Sequence, residues 1–111
     1  MRIGKLSLRT EKADTGLKRA RGLMFRKSLK GALLFVLDRE TRIGATIHSY
    51  FVFFPFDIVW LDKKRKVVDM KTVFPFTLFA APREGAKYFI ELPAGSVKRA
   101  GLTLGQKINL D

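Results

Sequence analysis

The apolar residues of this chain fall into short runs with a period of two, and proline or glycine interrupts them before a long helix could form. No other feature constrains the fold as much, because side chains alternate between the two faces of a strand. In Lys87–Leu92, Tyr88, Ile90 and Leu92 share one face, and Phe89 and Glu91 share the other. In Ile43–Ser49, Ile43, Ala45 and Ile47 alternate with Gly44, Thr46 and His48. Asp57–Asp62 and Lys66–Lys71 read as a hairpin around the basic turn Asp62–Arg65. Gly31 introduces Ala32–Leu37, an unbroken apolar run suited to a strand buried on both faces.

The remaining segments fit around these. Arg2–Leu8 has an imperfect edge-strand pattern, and Lys107–Leu110 reads as a last strand. Asp38–Thr41 is expected to be a polar connection. Val73–Pro82, broken by Pro75 and Pro82, is expected to be a packed aromatic loop, and Pro55 ends the run before it because it cannot donate to a ladder. Asp14 or Thr15 can cap a short helix carrying Leu17, Ala20, Leu23 and Met24, which Gly22 shortens. A second helical turn is expected at Ser96–Ala100, with Gly101 at its C-terminal end. Together these features predict one α+β domain over residues 1–111. It is β-rich, with a curled or barrel-like, mostly antiparallel sheet and one or two short helices.

Composition narrows the chemistry. The 111 residues hold 22 Lys and Arg against 10 Asp and Glu, a formal charge of +12. Ten of the basic residues lie in the first thirty positions, against Glu11 and Asp14. Lys63, Lys64, Arg65 and Lys66 make a second focus. Such a charge suits a polyanion partner, nucleic acid included, with Lys18, Arg19, Arg26, Lys27 and Lys63–Lys66 as candidate contacts. It also suits a thermophilic protein with solvated lysines. There is no cysteine, which excludes disulfides and thiolate metal sites, and only one histidine. Gly85 is not followed by a Lys-Ser/Thr pair, so no phosphate-cradling loop is present. Neither a cofactor nor a metal site is expected. The opening MRIGKLSL has no apolar run of signal-peptide length. Ile43–Leu61 lacks Lys and Arg, but it contains Pro55 and Asp57 and so is a poor membrane span. A cytoplasmic location without a membrane span is expected.

Two groups of residues could carry function. Phe-Pro-Phe occurs at 54–56 and again at 74–76, and with Phe51, Phe53 and Phe79 these corners hold much of the aromatic mass. They either build the core or line an apolar groove, for which Phe54, Phe74, Phe76 and Phe79 are the candidates. The polar candidates are Arg21, Met24, His48, Asp57 and Glu91. His48 could act as a base or a polar anchor. Asp57 and Glu91, each set in an apolar strand, could accept backbone N–H groups, pair with arginine or form an acid–base pair.

The blocks Arg21–Arg26, Gly31–Val36, Phe54–Asp62 and Tyr88–Gly95, followed by Gly101-Leu102 and Gly105, resemble the family called domain of unknown function 192 over nearly the whole chain. The resemblance implies a small β-rich domain with no established activity. It implies recurring residues at Arg21, Gly22, Met24, Asp57, Glu91 and Gly95. Many members carry an aromatic-Trp-Met-Lys-Asn-Thr stretch where this chain has Ile47–Val52. The segment from Leu92 to Lys107 also resembles, locally, the hairpin of swapped-hairpin transcription regulators. The leading expectation is a non-enzymatic domain that binds a ligand or protein in an aromatic groove near Asp57. A nucleic-acid module using the basic residues comes second, and an enzyme using His48, Asp57 and Glu91 third.

Overall fold

A computed structural model describes residues 1–13, 23 and 26–110. Seven strands and one short helix are assigned among them: β1 (Arg2–Ile3), β2 (Leu6–Ser7), β3 (Thr10–Ala13), β4 (Ala32–Thr41), β5 (Phe56–Leu61), β6 (Val67–Val73), β7 (Ala86–Pro93) and α1 (Ser96–Ala100). β1 and β2 pair as a small hairpin, and the others form one sheet in the order β3-β4-β7-β5-β6. Only β3 and β4 run parallel; the other neighbours are antiparallel. The fold is β-rich α+β as expected, but β3 and β6 remain edges, so the sheet does not close into a barrel.

The period of two sorts the sheet into two apolar layers. Leu33, Phe35, Phe56, Ile58, Trp60 and Phe89 pack on one face under Leu23, Ala45, Val52 and Ala80. Phe35 and Phe89 stack there at 4.4 Å between ring centroids. Leu34, Val59, Leu61, Ile90 and Leu92 pack on the other face under Ile3, Ala100, Leu102 and Ile108. The first half of β4 is buried on both faces because one of the two apolar layers covers each of them.

Gly4 has φ +56, and a Cβ there would lie 2.2 Å from the Ala100 carbonyl oxygen. Only glycine lets this turn approach so closely. The neighbouring Lys5 N–H donates to the same oxygen at 3.0 Å, docking the hairpin on α1. Gly101, in the left-handed region, closes α1 as expected.

Four expectations need correction. Arg2–Leu8 is a two-stranded hairpin and not an edge strand. Asp38–Thr41 continues β4, with its polar side chains beyond the core; the Asp38 carbonyl accepts the Lys87 ammonium and the Glu40 carboxylate accepts the Lys63 N–H. Ile43–Ser49 is not a strand. The Thr46 N–H folds back to the Ile43 carbonyl and the Ala45 carbonyl accepts the Trp60 indole N–H at 2.8 Å, so only Ile47 bridges, to Ala80. Ile43 is 88% exposed, which no alternation could foresee. Lys107–Leu110 makes a single bridge, Lys66 to Lys107, and buries Ile108. The helix expected after Asp14 falls on residues outside those described.

Candidate functional site

The three polar candidates are not brought together. Asp57 pairs in register with Leu92, while Glu91 pairs with Ile58 and Leu33. Successive pairs alternate faces, so Asp57 and Glu91 point to opposite sides of the sheet. Asp57 is buried and serves the fold: one oxygen accepts the Thr72 hydroxyl at 2.7 Å and the other the Val97 N–H at 3.0 Å. The second bond caps α1, whose own cap residue, Gly95, has no side chain to offer. The cleft of about 550 Å³ above Asp57 is lined by Thr72, Val97, Lys98 and Thr103 among others. Glu91 is buried on the face of the first core layer, and its Oε1 has no hydrogen-bond partner among the described residues. Burial raises its pKa from 4.5 to about 8, partly opposed by the positive charge of Arg26. His48 lies exposed on a loop, where its Nδ1 accepts the Tyr50 N–H at 3.2 Å. An acid–base site built from these three side chains has no geometric basis. Arg21 and Met24 lie outside the described residues.

The basic candidates also separate. Asp62 organises the hairpin tip: its carboxylate accepts the Lys64 and Lys66 N–H groups, and its own N–H reaches the Lys66 carbonyl. Arg65 sits there at φ +66 with its guanidinium 5.7 Å from the Tyr88 ring centre. Arg26 pairs with Glu11 at 3.3 Å, and Lys27 is exposed. The segment 26–31 leads into the start of β4, which by register lies at the end of the sheet where β5 begins. The tip 62–66 lies where β5 finishes. The two basic groups therefore occupy opposite ends of the sheet. Lys18 and Arg19 lie outside the described residues.

The aromatic candidates divide between the core and the surface. Phe54 is half-buried against the first core layer. Phe74, Phe76 and Phe79 are 64%, 57% and 69% exposed, so their loop is not the packed one expected. Tyr50, Phe51, Phe53 and Leu78 on the loops 50–53 and 74–79 are exposed as well, and Phe53 meets Phe76 edge-on at 5.7 Å and 70°. The loops 50–53 and 74–79 are laced through one fully buried residue, Ser49. Its hydroxyl donates to the Phe74 carbonyl at 2.7 Å and accepts the Thr77 N–H at 2.6 Å. Its carbonyl accepts the N–H groups of Phe76 and Val52, and its own N–H donates to the Thr77 carbonyl. Phe51 and Phe76 adopt φ of +59 and +61. That region costs a non-glycine residue about 1–2 kcal/mol, and it persists only where surrounding structure enforces it. Sequence reasoning counted Phe51 and Phe53 with the aromatic corners but missed Ser49, Tyr50 and Leu78. The available signal was that residues 43–56 and 70–83 contain no acidic residue at all.

Among the described residues no group of three His, Asp or Glu could hold a metal. No helix among them is long and apolar enough to cross a membrane.

The chain can be placed against known proteins. The model of the DUF192 family, described as "Uncharacterized ACR", matches residues 1–110. A UPF0127 protein of Thermococcus kodakarensis is 43% identical over 106 residues, 96% of this chain and 64% of that protein. A UPF0127 protein of Pyrococcus abyssi is 40% identical over 90% of this chain and 84% of its own length. The chain thus spans 64–65% of the length of the three Thermococcus relatives it matches. The crystal structure of a protein of unknown function from Novosphingobium aromaticivorans aligns with a TM-score of 0.80 at 25% identity, covering 91% of this chain and 74% of that one. A protein described as a candidate transcription regulator from Sinorhizobium meliloti aligns at 0.79 and 24% identity, covering 88% and 78%, which shows a shared fold.

Proposed function

Because the chain belongs to the domain of unknown function 192 family, whose fold is in hand without a reaction, we propose that it is a non-enzymatic binding domain that receives its partner on loops 50–53 and 74–79. One observation carries this reading. Six large apolar side chains (Phe51, Phe53, Phe74, Phe76, Leu78 and Phe79) stay exposed on two loops held together by the buried Ser49. Single exposed hydrophobic residues are ordinary, but a contiguous rigid group of them marks an interaction surface. Loops that existed only to complete the core would turn these rings inward. Two of them are instead held outward-facing in a backbone conformation that aromatic residues avoid.

The lack of convergence among His48, Asp57 and Glu91 supports a binding role over catalysis. The separation of Arg26 and Lys27 from Lys63–Lys66 weakens the reading in which one basic face grips a nucleic acid. The triple variant F74S/F76S/F79S tests the proposal. Its melting temperature is expected to stay within a few degrees of the parent, while fluorescence of the apolar dye anilinonaphthalene sulfonate falls severalfold. A cooperative loss of stability in the variant would make the rings core residues and overturn the reading.

A further inference from the structure

We propose that the partner of the aromatic loops is the surface of an anionic lipid bilayer, into whose interface the loops insert; this rests on the binding role assigned to them above. The tip is apolar and free of acidic side chains: residues 43–56 and 70–83 contain neither Asp nor Glu. Cations stand at its foot. The Arg42 Nε donates to the Pro82 carbonyl at 2.8 Å, and the Lys71 Nζ donates to the Ala81 carbonyl at 2.6 Å. Both bonds run to neutral oxygens, and the Lys71 ammonium also lies 5.6 Å from the Trp60 ring centre, so neither contact cancels a charge that an anionic surface can meet. Arg83 stands beside them with its charge matched by Asp69 at 3.5 Å. The net charge of +12 draws the whole molecule toward such a surface.

An apolar tip above a cationic foot is the arrangement that interfacial anchoring requires, since stable attachment takes an apolar and an electrostatic signal together. The rings themselves favour lipid over a base or a sugar. Phe53 and Phe76 meet edge-on at 70°, so they form no flat shelf on which a base could stack. Phenylalanine and leucine also offer no hydrogen bond to a base edge or a hydroxyl group. Acyl chains need neither. The loops are also rigid: five hydrogen bonds run through Ser49, so little order is lost on insertion.

Co-sedimentation of the full chain with vesicles tests this, using equal parts phosphatidylglycerol and phosphatidylcholine against phosphatidylcholine alone. The chain is expected to bind the anionic vesicles and to release as salt is raised. F76S/F79S is expected to lose more than tenfold in affinity with an unchanged melting temperature. In R42Q/K71Q each neutralised cation is expected to lower affinity about fivefold. In F76W the new indole is expected to shift its emission to the blue on binding, while the buried Trp60 does not change. Absence of vesicle binding at low salt overturns the proposal. So does vesicle binding that survives F76S/F79S, because charge alone would then hold the protein. Tighter binding of a single-stranded oligonucleotide through the same loops, or a dimer that F76S/F79S dissolves, would reassign the surface to those partners. Dye binding that depends on the loops while vesicles are ignored would overturn the membrane partner and leave the binding surface standing.

Discussion

The tripeptide Phe-Pro-Phe occurs twice in this protein with opposite outcomes. At 54–56 it opens β5, and Phe56 is 0% exposed, paired on one side to Val73 and on the other to Pro93. At 74–76 it follows the last residue of β6, and both phenylalanines face solvent. The residues are the same, so the difference comes from position. β5 is an interior strand with a neighbour on each side, whereas β6 is an edge. The first corner is forced between two core layers. The second continues off the margin of the sheet, where Ser49 ties it to the loop 50–53. An interior corner is bound to build the core, and an edge corner is free to take on function.

The strongest way to break this comparison is to truncate the interior ring. Phe56→Ala is expected to cost about 3–5 kcal/mol, enough to unfold much of the population, as read by chemical denaturation. An effect no larger than that of Phe76→Ala would make the two corners equivalent after all.

A second test uses Glu91, which shares the face of Phe56 and Ile58. Folded Glu91 keeps its proton until about pH 8, while an ordinary glutamate ionises near 4.5. The unfolded chain therefore releases a proton that the folded chain retains, and stability falls as pH rises from about 4.5 to about 8. Glu91→Gln is expected to remove that slope and to be about 4 kcal/mol more stable than the parent at pH 8. Melting curves of the two proteins over this range decide the point. A variant less stable than its parent at pH 8 would mean that the ionised carboxylate is held by a partner.

Ser49→Ala attacks the outer corner through its anchor. Removing the hydroxyl leaves the Thr77 N–H without its acceptor, for an expected loss of about 1–3 kcal/mol. Amide exchange at Thr77 and Phe76 is expected to accelerate while the amides of β5 keep their protection. Uniform acceleration would show that the loops and the interior unfold as one unit.

The smallest effect is expected at the outer ring itself. Phe76→Asn replaces an aromatic at φ +61 with a residue that tolerates the left-handed region, and it is expected to be neutral or to gain up to about 1 kcal/mol. A clear loss would mean that Phe76 packs into the fold.

Much of the architecture is legible in the sequence. Alternation in Lys87–Leu92 assigned the two faces of β7 correctly, and the turn Asp62–Arg65 marked the β5–β6 hairpin, because strand period and turn chemistry are local. The same alternation misled at Ile43–Ser49, where an indole from β5 takes the Ala45 carbonyl that a ladder would have used. That competition is non-local and leaves no trace in the spacing. The candidate site divides in the same way. Phe74, Phe76 and Phe79 stood out as a repeated corner, but Ser49 looked like one more polar residue in an apolar stretch.

By itself, then, the sequence determined a β-rich α+β fold without thiol chemistry, a strong positive charge and two aromatic corners. Only the tertiary structure decided that Asp57 and Glu91 lie on opposite faces, that Arg26 and Lys27 stand at the other end of the sheet from Lys63–Lys66, and that Phe56 of one corner is buried while both phenylalanines of its twin are exposed. The physical reason is that composition and period act within a few residues. Burial depends on which strand lies next to which, and strands distant in sequence make that choice by packing against each other.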